Sequence, residues 1–280
     1  MLSPLRQALV RQVRATFNDQ AKGERPIPRS DHALFKPDSV IWRVHGDVTS
    51  MMAGGIAALL LQMLHPQALG GVWDHSNVHE DMLGRLRRTA RFIAVTTYGD
   101  RDAAEAAIDK VKHIHRQISG TLPDGIAYRA DDPHLLAWVH VAGAAMFLEG
   151  WRKYGEPGMS RDDQDRYFAE AGQVALMLGA DPVPQTRTEA EKLISSFRAE
   201  LKADQRTREF RDLVINARPG SLGEAAVQKL LMSAAIDLLP SWARRMHGLS
   251  MMPGIVPPIR AATFGLASTL RWAFAREAYR

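Results

Sequence analysis

Ten histidines are the residues of this 280-residue chain best able to do chemistry, and the helical faces they occupy separate them. Between Asp102 and Ile118, the residues Ala104, Ala107, Ile108, Val111, His115 and Ile118 recur at three- and four-residue steps. They therefore share one face of a helix, and His115 points inward with them. His113, two positions away and so about 200° around the helix, points to water. In the run Trp138-Val139-His140, the second histidine of interest shares a stripe with Leu136, Gly143 and Phe147, so His140 also faces the interior. Two inward imidazoles on separate helices suit a metal ligand with a distal group beside it, and they equally suit two hydrogen-bonded core residues. His65, His75 and His79 form a third group. His75 and His79 are four apart, as metal-binding pairs are, but neither Glu-x-x-His nor His-Glu-x-x-His accompanies them. His79 beside Glu80 reads as a solvated helix start.

A charged cluster lies upstream. Arg85, Arg88, Thr89 and Phe92 stand at i, i+3, i+4 and i+7 and border the apolar line from Leu86 to Ile93. An arginine on the edge of an apolar face can grip a carboxylate with two hydrogen bonds, or it can simply be solvated.

The elements that must position these groups are helical nearly throughout. Hydrophobic residues make up 46% and charged residues 24%, which suits a folded globular chain. Apolar periodicity predicts helices over Pro4–Phe17, Ser39–Val48, Ser50–Leu64, Asn77–Thr97, Asp102–Ile118, Pro133–Tyr154, Ser160–Leu178, Arg187–Ala203, Ser221–Leu238 and Pro258–Arg276. Strand patterns are scarce, and no linker divides the chain. The fold class expected is all-α, in a single multi-helix domain. Residues 1–37 form an N-terminal helix and extended arm, residues 38–245 the principal helical domain, and residues 246–280 a helical extension packed on it.

The absence of cysteine excludes disulfides, thiolate ligation of iron and iron–sulfur clusters. The net charge of +5 is spread along the chain with no aromatic-interleaved basic stripe, so no nucleic-acid partner is expected. Met1 to Lys22 lacks a signal-like apolar stretch, and Met51 to Leu64 is shorter than the ~20 residues a membrane span needs. A soluble, cytoplasmic protein is expected. The stretch Leu238 to Arg245, with Arg260, Arg271, Trp272 and Phe274 beyond it, mixes basic and apolar groups. It could pack on the core or make a peripheral membrane contact.

An ordered succession of short motifs now becomes informative. It runs Asp38-Ser39, Trp42-Arg43, Gly54-Gly55, Ala58 to Gln62, His65-Pro66, Asp74-His75-Ser76, Arg85-x-x-Arg88-Thr89 and Tyr98-Gly99. It continues with Val111-x-x-x-His115-x-x-Ile118-x-Gly120, Tyr128-x-Ala130, Asp132-Pro133, Trp138-Val139-His140 and Leu178-Gly179. Over roughly residues 38–245 this succession resembles the DUF2236 family, which includes the MpaB-type and rubber-degrading oxygenases.

The resemblance implies a globin-like helical core that binds haem b, with His115 as the axial metal ligand. It implies a pocket of Arg85, Arg88, Thr89, Phe92 and His75, with Arg85, Thr89 and His140 as the candidate catalytic groups. Some relatives carry a lysine, able to take the iron's other face, just before the threonine. Here Arg88 stands at that position, and a permanently protonated guanidinium cannot ligate iron. The activity implied is a haem-dependent oxygenase using dioxygen on an apolar small molecule. The alternatives are a haem-binding or haem-sensing protein without turnover, and a haem-free helical protein that binds a lipid or a partner. The rubber-degrading relatives are secreted, so polyisoprene is not carried over as substrate.

Overall fold

The computed structural model describes residues 4–18, 23–217 and 222–275. Its centre follows from one sequence property. The segment Val48–Gln62 (α3) carries no charge, and a helix apolar on every side has to be enclosed on every side. Ala53, Ala57, Leu60 and Leu61 are fully buried there.

The main partner of α3 is α7, Pro133–Tyr154. Gln62 accepts a hydrogen bond from Trp138 Nε1 at 2.9 Å and donates to the Val139 carbonyl at 2.7 Å. Gly54 meets Met146 and Phe147, and Gly150 meets Ser50, so the two helices run antiparallel. Their backbones nearly touch. A Cβ on Gly150 would lie 2.6 Å from the Ser50 carbonyl oxygen, and one on Gly54 would lie 2.9 Å from that of Met146. Only glycine allows so close a crossing.

Other helices wrap this pair. Leu222–Leu238 (α11) and Val256–Phe274 (α13) lie along α3, and Pro4–Phe17 (α1) lies on α13. Arg161–Leu178 (α8) and Arg187–Phe197 (α9) pack on α7, and Val40–His45 (α2) packs on α8. Cap chemistry sets several limits where the sequence expects them. Asp132 accepts from the Leu135 amide with Pro133 next in line, Ser160 accepts from the Asp163 amide, and α8 stops at Gly179 with φ of 98°. Among the described residues the molecule is all-α apart from one small hairpin. Among the described residues no single helix is long and apolar enough to cross a membrane.

Several elements depart from the periodicity reading. The helix expected over Arg187–Ala203 ends at Phe197, and a separate helix, Gln205–Ile215 (α10), begins on the Asp204 cap. Its sequence is too polar to announce itself, since its buried residues are only Thr207, Phe210 and Val214. Pro66–His75 (α4) is a helix despite Gly70 and Gly71. Gly70 is needed because a Cβ there would lie 2.8 Å from Leu122 and 3.1 Å from the Tyr128 ring. Those two residues belong to the hairpin, Ser119–Thr121 (β1) with Ala127–Arg129 (β2), paired Ser119 to Arg129 and turned over Pro123-Asp124-Gly125. A short helix, Ser241–Met246 (α12), also precedes α13.

Met82–Tyr98 (α5) and Arg101–Arg116 (α6) form a helical hairpin that is fastened at its bend. There Tyr98 donates to the Trp42 carbonyl, the Ser30 amide bonds the Tyr98 carbonyl, and Thr96, Thr97, Ala104 and Ile108 are buried. Away from the bend the cover thins. Leu86, Phe92 and Ile93 on α5, and Val111, His115 and Ile118 on or just after α6, are only half-buried. Neither helix packs extensively on α3 or α7. The apolar face that periodicity assigns to this hairpin is thus covered at one end and left partly open at the other.

Candidate functional site

The open end of the α5–α6 hairpin carries the residues singled out by their chemistry. His115 is half-buried and His113 is exposed, as their separation around the helix requires. Burial lowers the His115 pKa, the nearby Arg85 cation lowers it further, and the Asp131 carboxylate opposes both. Its ring is therefore neutral near pH 7, and it makes no hydrogen bond among the described residues.

Arg85 is within electrostatic reach of His115 and half-buried. Its pKa is lowered by burial and then by Arg88. No carboxylate among the described residues pairs with it. Arg88 turns away to Asp81, 3.3 Å distant, and is exposed. Thr89 is also exposed, and its hydroxyl donates to the Arg85 carbonyl at 3.2 Å. Phe92 is half-buried on the same helix. The structure thus brings Arg85 and His115 together and leaves Arg88 and Thr89 at the solvent side.

The other candidates lie elsewhere. His75, at the exposed end of α4, bonds the Tyr128 hydroxyl at 3.2 Å, and that hydroxyl donates to Asp74 at 2.8 Å. Asp74 is also paired with Arg206, and Glu80 is exposed in the turn before α5. His65 is buried and bonds Glu200, while His79 stacks edge-on against Trp73. His65, His75 and His79 therefore serve three different places. Among the described residues no group of three or more histidine or carboxylate side chains gathers to hold a metal ion.

His140 faces α3 from the α7 line that includes Gly143, which looks onto the Gln62 amide, and Phe147, which packs on Gly54 and Gly55. Its Nε2 is fully enclosed with no hydrogen-bond partner, and burial lowers its pKa to about 4. Below this line sits a histidine that sequence reasoning passed over. His45 is held by Thr97 Oγ1 at 2.9 Å and the Tyr167 hydroxyl at 3.1 Å, with the Phe147 ring 5.7 Å away. Burial drives its pKa to about 3.

These two buried neutral rings make acid costly. In the unfolded chain each returns to an ordinary pKa near 6.5, so below that pH the unfolded state takes up protons that the folded state refuses. Stability is complete above pH 6.5 and declines as pH falls towards 4, by on the order of 3 kcal/mol for His140 alone. Urea midpoints at pH 7 and pH 5 should differ accordingly, and His140→Leu should flatten the trend. An unchanged midpoint in the native chain would contradict this account.

Asp131 is a second residue that the sequence reading missed. The β1–β2 pairing folds the chain back so that Asp131 comes within reach of His115, while Arg129 grips it at 2.9 and 3.0 Å. The signal was available, because Pro-Asp-Gly between two short apolar runs marks a tight turn.

The group implied by the resemblance can be tested on these residues. A haem requires a neutral imidazole with a free nitrogen, apolar walls, and cations for two propionates. His115 meets the first need and Arg85 part of the third, and the half-covered apolar residues of α5 and α6 supply a wall. In kind, these residues suit the group at one imidazole, one cation and one apolar wall.

Residues 42–272 match the family described as the ER-bound oxygenase mpaB/B'/rubber oxygenase catalytic domain. The chain belongs to this family. Its oxygenase-type catalytic domain therefore takes in everything from α2 to the last turn of α13. No curated protein and no solved structure matches the chain.

Membership gives the resemblance motifs a context, and packing accounts for several of them. Gly54 permits the α3–α7 crossing, Gly120 accommodates the Tyr128 ring, Asp132-Pro133 caps α7 and Gly179 ends α8. Arg85 and His115 are different. In this mpaB/rubber oxygenase domain they are polar and half-buried, and among the described residues their side chains are committed to no structural bond.

Proposed function

We propose that this protein is a haem b-dependent oxygenase in which His115 holds the iron and Arg85 meets a propionate. The reading is supported chiefly by the unpaired Arg85 beside the unbonded His115, at the open end of an apolar helical hairpin. A partly buried guanidinium without a carboxylate is costly unless an anion completes it. A neutral imidazole with no hydrogen bond is in the state that a metal needs.

When bound, the haem would supply dioxygen activation, which no side chain here can provide. The protein's own part is narrower. His115 would hold and orient the group, and the Asp131 carboxylate, within electrostatic reach, favours proton retention on its imidazole. Half-buried Leu86, Phe92, Ile93 and Val111 exclude water and favour an apolar small molecule as substrate. His140 is enclosed and neutral with an unpartnered Nε2 facing α3, while the exposed Thr89 and Arg88 stand at the rim.

Titration of the purified protein with haemin is the direct test. A saturable Soret band at one equivalent per chain is expected, with dioxygen consumed on addition of an apolar substrate and reductant. Binding without consumption would favour a sensing or carrier role. A flat titration would remove the haem reading altogether.

A further inference from the structure

We propose that the outer face of α13, with the loop leading into it, docks on an anionic membrane surface. A helix on the outside of a water-soluble protein normally turns charged residues outward. On α13 the inward line is Ile259, Thr263, Leu266, Ala267 and Ala273, packed towards α3, α7 and α11. The opposite face presents Ala261, Phe264, Gly265, Ser268 and Trp272, with no charge among them. Phe264 is 42% exposed and Trp272 49%. The preceding loop continues the surface with Met252 at 67% and Ile255 at 43%.

The arginines of this helix do not relieve the face. Arg260 pairs with the buried Asp237 and Arg271 with the buried Asp47, at 2.8 and 2.7 Å. Both cations are neutralised by buried carboxylates, with Arg271 partly buried and Arg260 half-exposed beside the face, which itself carries no charge.

The surroundings select the occupant. No aspartate or glutamate occurs between Asp237 and Glu277, while arginines stand at 244, 245, 260, 271 and 276. The neighbouring α1 is likewise free of carboxylates and carries Arg6, Arg11 and Arg14, with Arg6 stacked 4.6 Å over the Trp272 ring. An apolar patch with an amphipathic tryptophan, flanked along its own segment and on α1 by arginines and no carboxylate, complements anionic headgroups over an acyl layer. A second copy of the chain fits less well, because a two-fold contact would bring these basic borders against each other. The helix would lie on the membrane, since none of the described helices spans one.

The test uses the full chain with two vesicle preparations, phosphatidylcholine alone and the same lipid with about one third phosphatidylglycerol. Co-sedimentation is expected with the anionic vesicles only, weakening as salt rises. Phe264→Ser combined with Trp272→Ser should reduce binding at least tenfold, and Trp272→Phe should retain most of it. Both residues are exposed, so a matching thermal melt confirms an intact fold. Failure of the native chain to bind anionic vesicles, or equal binding by the double variant, would overturn the proposal. A dimer in sedimentation velocity that the double variant abolishes, without vesicle binding, would overturn it in favour of self-association.

Discussion

The His115→Ala protein should lose its Soret band on reconstitution, while His113→Ala, made two residues away on the same helix, should bind haemin like the native chain. The contrast is informative because both substitutions remove an imidazole from α6 and only one removes a half-buried one. Neither ring is a structural keystone. Among the described residues the His115 ring makes no hydrogen bond, and the His113 ring bonds only the exposed Gln117 side chain, at 2.9 Å. Near-equal melting temperatures are therefore expected, and any loss of colour reports on ligation. Apparent haemin affinity should fall by at least a hundredfold in His115→Ala, the scale on which removing a metal's sole protein ligand should exceed the 10–100-fold cost of an outer-shell change. Equal loss in both variants would refute the facial argument, and full retention in both would leave His140, with its free Nε2, as the group to replace next.

Gly150→Ala should cost the fold more than any other single-methyl change at the α3–α7 crossing. The new Cβ would stand 2.6 Å from the Ser50 carbonyl oxygen, which is backbone and cannot rotate aside. Helix propensity gains nearly 1 kcal/mol from the change, and overpacking of this kind costs about 1–3 kcal/mol or more. The steric term wins because relief requires the two central helices to part. A fall in melting temperature of roughly 4–10 °C is expected. The control is Gly158→Ala, where a Cβ would meet nothing within 4 Å. Similar melts for the two variants would show that the crossing is looser than described.

The helical core was legible because its periodicity and its punctuation agree. Pro133–Tyr154 was bounded by Asp132-Pro133 at one end and Gly155 at the other, and α3 announced itself by its lack of charge. What escaped was structure whose stability comes from elsewhere. Pro66–His75 is held by what it packs on, through Gly70 and Tyr128, and α10 buries only three side chains. At the candidate site, the inward turn of His115 and the outward turn of His113 followed from spacing alone. Spacing could not reveal that Arg88 turns out to Asp81 while Arg85 is left without a counter-ion, because both lie on adjoining edges of one helix. Asp131 escaped for a related reason, since its proximity to His115 depends on a strand pairing, marked only by the Pro123-Asp124-Gly125 turn, and not on a helical period.

The α5–α6 hairpin is fastened at its bend and half-covered beyond it, and its other end is tied into the molecule through buried Val78 on one side and the β1–β2 hairpin on the other. On the proposed reading, a cofactor seated against that half-covered face would touch these two helices and leave the α3–α7 crossing unmoved. Loss of the cofactor and loss of the fold would then be two distinct transitions on heating.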